Sequence, residues 1–245
     1  FRCENGNQSL ADELARRILE NKNNRILLNN PVKKIKIKSG GGGGVEVWDT
    51  WSQEAHKADY LILAIPPTTW DNIDISPNIP MKDYGIQMGT AVKYLSKVRN
   101  RFWIKAQLAP SGAGDNVGMF WEGTDNQTLN GEQAIELSVF AGAQNALDAL
   151  NSSSVSGFYT SELGKIYRDY STNVYSARFE AWPKRKWTKA GYSFPKMGQV
   201  LTISKNLSEP FHERLYFAGE HTCTAFFGYM EGALQSGMRV AKKLL

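Results

Sequence analysis

The chain has 245 residues, and its 29 Lys and Arg residues outnumber its 24 Asp and Glu residues, which gives a formal net charge of +5 at pH 7. Hydrophobic residues make up 42% of the chain and charged residues 22%. This composition is typical of a folded globular protein and excludes intrinsic disorder, collagen and a coiled coil. The two cysteines, Cys3 and Cys223, are too far apart in sequence to define a disulfide framework or a zinc knuckle.

The hydropathy and the beginning of the chain lead to two further expectations. The sequence has no run of about 18 apolar residues and no signal-peptide pattern, so we expect no membrane-spanning helix. The chain begins with Phe1 instead of Met and takes on a folded pattern within ten residues, which suggests a processed chain or a fragment. The length allows one large domain or two small ones.

The first predicted element is an amphipathic helix over residues 9–21. Its sequence starts with a capping-box-like pattern at Ser9. Three apolar residues at helical spacing share one face of it, namely Leu10, Leu14 and Ile18.

A β-meander is predicted next, because polar residues alternate with β-branched ones. Its strands cover residues 25–28, 31–38 and 45–48. The glycines at 40–44 join two of these strands. They predict a hairpin loop and not a phosphate-binding loop, since a dinucleotide fingerprint needs spaced glycines between a strand and a helix.

The rest of the chain mixes further strands with helices. Strands are predicted at residues 59–65, 91–98, 117–121, 134–141 and 214–218. Helices are predicted at residues 144–150, 161–166 and 230–245. Pro66 and Pro67 end the first of these strands, because proline cannot continue a central ladder. The pattern therefore predicts an α/β fold with mixed α+β content.

Several classes of function have no support in the sequence. The chain has three histidines and none of the usual hydrolase, metal-binding or Walker-type motifs. Its basic residues are scattered, with short groups at 33–38 and 184–186. We interpret these groups as solvated surface and expect no nucleic-acid partner.

The most informative stretch is near the carboxyl terminus. A predicted strand leads into Gly-Glu-His-Thr at 219–222, a short aromatic loop follows, and Gly228-Tyr-Met-Glu-Gly opens a helix. The first turn of such a helix presents unpaired backbone N–H groups and a positive dipole end, which suits a phosphate, a carboxylate or a polarised carbonyl. A plain strand-to-helix connection is the alternative interpretation of this stretch taken alone.

This stretch closely resembles the carboxyl-terminal signature of the flavin-dependent amine oxidase family, which includes monoamine, polyamine and L-amino acid oxidases. The resemblance implies FAD-binding roles for Gly219, Glu220, Thr222, Gly228 and Met230. In that family the backbone N–H groups at the helix start face flavin N1 and O2, and the resemblance implies this role for the Met230 backbone. Tyr229 is then an active-site aromatic residue.

Three stretches in the first half resemble the same family in the same order. Asn30-Pro-Val-Lys-Lys-Ile is similar to the strand that packs on the adenine, which makes Val32 a cofactor residue; alone it would be ordinary strand core. Leu63-Ala-Ile-Pro-Pro is similar to the strand end where the chain leaves the FAD domain. Gly89-Thr-Ala-Val-Lys is similar to the segment whose lysine, here Lys93, holds a water at flavin N5; without the resemblance a solvent-facing lysine is favoured.

A fourth stretch resembles the block that forms the wall facing the flavin. It contains Trp182, Trp187, Gly191 and Tyr192-Ser193. The resemblance places Trp182 beside the flavin ring and makes Tyr192 and Tyr229 a pair of aromatics between which the amine passes. Animal monoamine oxidases carry a cysteine bonded to FAD where Gly191 stands, so we expect non-covalent FAD. Taken singly, each aromatic is more typical of a core.

The resemblance also implies a domain organisation. A discontinuous Rossmann-like FAD-binding domain would use residues 1–75 and 179–245, and residues 76–178 would form the later half of a substrate-binding domain with a mixed sheet flanked by helices. The family's first FAD segment, with the Gly-rich fingerprint, has no counterpart in the chain. We therefore expect an amino-terminal half on a second polypeptide, and a homo-oligomer is a further option.

The function that follows from the resemblance is FAD-dependent oxidative deamination of an L-amino acid or amine. The products would be an imine or carbonyl compound, ammonia and H2O2, with O2 as co-substrate. The sequences Gly-Glu-His-Thr and Gly-Tyr-Met-Glu-Gly favour L-amino acids. The alternatives are a polyamine or monoamine oxidase, a flavin monooxygenase of the same fold, and a non-catalytic flavin-binding or regulatory chain. The compartment stays open.

Overall fold

A computed structural model describes residues 6–38, 43–124 and 135–245. Its helices are α1 Gln8–Glu20, α2 Met81–Tyr84, α3 Phe102–Lys105, α4 Ala143–Asn151, α5 Val155–Ile166, α6 Tyr170–Asn173, α7 Gln199–Ser208 and α8 Met230–Leu244. Its strands are β1 Val32–Ile37, β2 Val45–Asp49, β3 His56–Ala58, β4 Leu61–Leu63, β5 Asp74–Ser76, β6 Met88–Gly89, β7 Ala91–Val98, β8 Ser111–Gly114, β9 Gly118–Glu122, β10 Ile135–Gly142, β11 Val174–Ala181, β12 Tyr192–Ser193 and β13 Leu215–Phe217. Most of the predicted glycine loop at 40–44 lies outside the described residues.

The first sheet has four strands in the order β3-β2-β1-β5. Ile35 and Ile37 of β1 are buried whereas Lys34 and Lys36 are exposed, which is the alternation that predicted this strand. Residues 25–28 were expected to be a strand, and this prediction is wrong. Strand β1 already pairs with β2 on one side and β5 on the other, so residues 25–28 cannot form a meander beside it, and they pair with no described strand.

The second sheet has five antiparallel strands in the order β11-β7-β10-β9-β8. One face of it forms an apolar core with the helices that follow, and that core contains Val92, Tyr94, Leu137, Val139 and Leu163. The strands predicted at 91–98, 117–121 and 134–141 are confirmed within the described residues. Strand β11 was not predicted, because its residues at 175–178 are exposed at the edge of the sheet and lack apolar alternation.

A second apolar cluster joins the four-stranded sheet to the parallel pair β4–β13 and to α7. It contains Ile35, Trp70, Leu207 and Phe217. The predicted strand at 59–65 is confined to β4, because Pro67 begins a 3-10 turn. The predicted helix at 230–245 is confirmed as α8, whereas α7 was not predicted.

Helix α1 is shifted by one residue from its predicted span. The predicted capping box is not formed: the helix begins at Gln8, so Ser9 lies inside it and its hydroxyl donates to the Gly6 carbonyl (2.7 Å). The described part of the chain buries none of the residues of α1. Leu14 is 44% exposed and Ile18 46% exposed, so its apolar face has no cover there.

The architecture as a whole is mixed α/β with several sheets, as predicted. The Rossmann-like arrangement and the domain boundaries stay predictions; residue 178 lies inside β11, which pairs with β7 along most of its length. Over residues 6–38, 43–124 and 135–245, every helix is too short or too polar to cross a bilayer.

Candidate functional site

The site is built where β13 leads into α8. Gly219 has a φ of 117°, and a Cβ there would stand 2.6 Å from the His221 ring, so only glycine fits the turn. A 3-10 turn follows at Glu220–Thr222, and α8 begins at Met230. The backbone of Gly228, with a φ of 77°, turns the chain into the helix.

The Glu220 carboxylate holds two segments of the site together. It accepts hydrogen bonds from the backbone N–H of Ser193 (2.9 Å), from the Ser193 hydroxyl (2.5 Å) and from the backbone N–H of Gly228 (2.5 Å). Hydrogen bonds to an ionised carboxylate are stronger than neutral ones. Glu220 therefore fixes Tyr192, the neighbour of Ser193, close to Tyr229, the neighbour of Gly228.

A second contact brings Tyr192 to the same place. A Cβ on Gly228 would lie 3.2 Å from the Tyr192 ring, so the loop before α8 runs directly against that ring. Strand β12 pairs with β6 through Tyr192 and Gly89. Two stretches with the family resemblance, 89–93 and 191–193, are thus neighbours in space.

The start of α8 is open. No described side chain caps it, and Tyr229 and Met230 are 69% and 51% exposed. The first N–H groups of a helix have no partner within the helix and carry a partial positive charge. This end can therefore receive an anionic or carbonyl oxygen.

Behind the Gly219–Thr222 turn lies a buried polar layer. Thr222 is 1% exposed; its hydroxyl donates to the Gly219 carbonyl (2.9 Å) and accepts from Arg239 Nη2 (2.8 Å). Arg239 also donates to the carbonyl of Phe217 (3.2 Å), and its burial lowers the pKa of the guanidinium. The side-chain hydrogen bonds of Thr222 and Glu220 therefore stabilise the shape of the turn.

His221 sits in the same layer as a neutral group. It is 3% exposed, and its Nε2 has no hydrogen-bond partner in the described residues. Burial, together with the positive charge of Arg239, lowers the pKa of the imidazole to about 4. The ring packs against Gly219 and meets Trp70 edge-on, with 6.3 Å between ring centroids.

Lys93 reaches the site from β7. It stands opposite Phe140 on β10 and Glu180 on β11. Its ammonium lies 4.6 Å from the centroid of the Trp121 ring and 5.9 Å from that of Phe140. The Phe140 and Tyr192 rings are 6.2 Å apart, so aromatic rings connect Lys93 to Tyr192.

Three other residues singled out from the sequence have distinct surroundings. A Cβ on Gly191 would stand 2.3 Å from the Ala91 Cβ, so the chain has no room for a side chain there. Trp182 is 40% exposed and begins a 3-10 turn directly after β11. Val32 is half-buried at the start of β1 and packs against the second apolar cluster.

The structure thus brings together Tyr192, Tyr229, Gly228 and Glu220, with Lys93 linked to them through Phe140. Trp182 follows Ala181, which pairs with Val92 next to Lys93, whereas Val32 belongs to the second apolar cluster. Sequence reasoning missed the roles of Ser193, Trp121, Phe140 and Arg239. The alternation of β10 could have marked Phe140 as lying opposite the core face. The other three act through long-range contacts, which local sequence patterns do not reveal.

These features define a class: a mixed α/β protein with an open helix end and an aromatic-rich wall at the end of a parallel strand pair. The profile of the family described as flavin containing amine oxidoreductase matches residues 1–245, and the chain belongs to that family. The cofactor of the family is FAD. The open start of α8 and the exposed aromatic rings of Tyr229 and Trp182 fit a polar, planar ring system.

Individual relatives are distant. The chain is 26% identical over 249 residues to a probable flavin-containing monoamine oxidase A of Dictyostelium discoideum. This match covers 98% of the chain and 52% of that protein. The chain is 24% identical to an L-amino acid dehydrogenase of Synechocystis, covering 96% and 50%. Cyclohexylamine oxidase from Brevibacterium oxydans has the same fold, with a TM-score of 0.81, 20% identity and coverage of 98% and 52%. The chain spans about half the length of these proteins.

Proposed function

We propose that this chain is the half of a flavin amine oxidase that closes the cofactor site and carries most of its catalytic side chains. The observation that supports it best is the Glu220 carboxylate, which joins Tyr192 to the Gly228–Met230 segment at an open helix start. FAD, when bound, would supply the redox chemistry, namely acceptance of a hydride from the carbon that bears the amine, with O2 as the final electron acceptor. The remaining roles fall to the protein.

Cofactor binding is assigned to the turn and to the helix that follows it. The backbone N–H groups at Met230 stabilise negative charge on the flavin, because a helix start presents unpaired donors. Gly219, Glu220, Thr222 and Gly228 give the turn its shape; Val32 and Trp182 pack against the adenine and the ring system. FAD is held non-covalently, as is typical of the family, and Gly191 leaves no side chain that could bond to it.

Catalytic roles are assigned to three side chains. Tyr192 and Tyr229 flank the approach of the amine, which must be neutral to release a hydride. Lys93 holds a water molecule in place beside the flavin. A Lys93→Met variant is expected to keep bound flavin but to be reoxidised by O2 more slowly.

Among substrates, we favour an L-amino acid. The support is electrostatic: the sheet face that carries Lys93 also carries Lys97 and Arg178 against the carboxylates of Glu136 and Glu180. Arg185 pairs with Glu180 as well, so positive groups outnumber negative ones there. A positively charged surface attracts a carboxylate and repels a polyamine that carries several ammonium groups. The Synechocystis relative is also named for L-amino acids. A monoamine is the second candidate, because the Dictyostelium relative is named for it.

The amino-terminal half of the enzyme is the proposed partner of this chain, on a second polypeptide. The uncovered apolar face of α1 and the exposed Ile62 of β4 (45%) supply a surface that needs cover. The relatives are about twice as long as the chain. In this proposal residues 1–75 and 179–245 complete the FAD domain and residues 76–178 the substrate domain.

The test is an absorbance spectrum of the assembled protein, followed by a peroxide assay with L-amino acids, monoamines and putrescine. Bound flavin with peroxide from one of these classes supports the proposal and names the substrate. Bound flavin without peroxide points to the non-catalytic flavin-binding alternative, and hydroxylated product to a monooxygenase. An assembled protein without flavin contradicts the proposal.

A further inference from the structure

The strands of the five-stranded sheet bring a lysine and a tryptophan together from non-adjacent positions. The open face of this sheet, opposite its apolar core, carries Lys93, Leu95, Lys97, Trp121, Glu136 and Phe140. Lys93 is on β7 and Trp121 is on β9, with β10 between them. Neighbouring strands are about 4.8 Å apart, so the Lys93 side chain crosses β10 to put its ammonium 4.6 Å from the Trp121 ring centroid.

Two aromatic rings lie close to the Lys93 ammonium. Trp121 and Phe140 are both half-buried, and Phe140 is 5.9 Å from the Lys93 nitrogen. A cation within about 6 Å of a ring centroid is attracted by the ring's electron density, most strongly for tryptophan and more strongly when water is excluded. Both rings lie on the same side of Lys93, because β10 and β9 follow β7 in the sheet.

The other side of Lys93 has a carboxylate that is already engaged. Glu180 on β11 is opposite Lys93, and its carboxylate accepts hydrogen bonds from Arg185 Nε and Nη2. Arg178 adds a second guanidinium group, with 3.6 Å between its Nη2 and Glu180 Oε2. With its charge offset by two guanidinium groups, Glu180 attracts the Lys93 ammonium less strongly than a lone carboxylate would. Glu136, on the same face of β10 as Phe140, is a further carboxylate within electrostatic reach of Lys93.

We propose that Trp121 is a positioning residue for Lys93: its ring face, supported by Phe140, fixes the ammonium on the open face, where Phe140 links it to Tyr192. This inference rests on the proposed function, in which Lys93 holds a water beside the flavin. A ring face attracts the charge without using a particular hydrogen-bond acceptor. The ring itself therefore takes up none of the N–H groups with which Lys93 would hold that water.

The chain offers a matched pair for the test. Lys34 lies 5.6 Å from the ring centroid of Trp48, a half-buried tryptophan on a strand of the other sheet. In the assembled enzyme, Trp121→Leu removes the ring beside Lys93, Trp121→Phe keeps a weaker ring, and Trp48→Leu is the control. Labelling of each lysine with an amine-specific acylating reagent at fixed pH is followed by peptide mass spectrometry, which requires no turnover.

We expect Trp121→Leu to raise the labelling rate of Lys93 by roughly 3- to 10-fold, because the ring no longer stabilises the ammonium. Trp121→Phe should give a smaller rise, and Trp48→Leu should change Lys34 but not Lys93. Flavin reoxidation should slow in Trp121→Leu. Equal labelling of Lys93 in all variants would overturn the proposal. Changed labelling with normal reoxidation would uphold the positioning and instead remove Lys93 from the proposed function.

Discussion

At the scale of single residues, the carboxylate of Glu220 is the group on which the site's geometry depends most. It accepts three hydrogen bonds from two segments that are far apart in sequence. An amide at this position has one oxygen to accept with, and its NH2 group would face a donor. The loss of a bond and the unpaired donor both destabilise the folded state.

Glu220→Gln is therefore expected to lower the free energy of unfolding by about 1–3 kcal/mol and to weaken flavin binding. Chemical denaturation and flavin release on dilution measure the two effects. Glu209→Gln is the control, since Glu209 is 68% exposed and pairs with Lys243 at the surface, where such pairs contribute little. Equal stability of the Glu220 variant and the native chain would contradict this role.

His221 predicts how stability depends on pH. Its pKa in the folded chain is lowered to about 4, whereas an unperturbed histidine titrates near pH 6.5. The unfolded state therefore binds the proton more readily. The contribution of His221 is complete above about pH 6.5 and is lost as the pH falls toward 4, by about 3 kcal/mol in all.

The measurement is the difference in free energy of unfolding between native chain and His221→Gln across this pH range. We expect the native chain to lose stability more steeply between pH 6.5 and 4 than the variant does. His212→Asn changes an exposed histidine and should keep the native slope. Parallel curves for the native chain and His221→Gln would contradict this prediction, because they would mean that the pKa of the imidazole is the same in the folded and unfolded states.

At the scale of elements, the close approach of β12 to β7 depends on Gly191. A Cβ at this position would be 2.3 Å from the Ala91 Cβ, and overpacking of this kind destabilises by about 1–3 kcal/mol. Gly191→Ala should lower the melting temperature, and adding Ala91→Gly should restore part of the loss. Gly164→Ala in α5, where no atom lies within 4 Å of the new Cβ, should be neutral or stabilising. Loss without rescue would mean that Ala91 is not the obstacle.

Elements with a clear periodicity could be predicted from the sequence, and others could not. The core-facing alternation of β7 and β10 and the helical spacing of α8 are local signals. Strand β11 gave no such signal, because its exposed residues 175–178 obtain their strand conformation from pairing with β7. Helix α5 begins at Val155 and not at the expected residue 161. Its start is capped by the Ser154 side chain, which accepts a hydrogen bond from the Gly157 backbone N–H.

The residues of the candidate site likewise fall into those that local sequence patterns predict and those that only long-range contacts bring together. Glycines and aromatics at 219–230 were recognisable because a tight turn and a helix start need particular residues near each other in sequence. The link from Glu220 to Ser193 spans 27 residues, and the contact of Lys93 with Trp121 depends on the order of three strands. Only the folded chain reveals such pairs.

At the scale of the whole molecule, the exposed apolar face of α1 is the surface that we propose for the interface with the amino-terminal half. A 13-residue helix is marginal in water without packing, and none of its residues is buried by the described part of the chain. Alone, the chain should be cut by protease within residues 8–20, and the amino-terminal half should protect this region. Leu14→Asp should prevent assembly yet leave the stability of the isolated chain nearly unchanged, because Leu14 is 44% exposed. Assembly of that variant with native affinity would contradict the interface.

The central claim is that this chain completes a flavin site that oxidises an amine. The most direct measurement is the absorbance of the assembled protein under anaerobic conditions, before and after addition of an L-amino acid or a monoamine. We predict that the flavin is bleached by substrate and recovers its colour, with release of H2O2, when O2 is admitted. A bound flavin that keeps its colour with every amine tested would contradict the account.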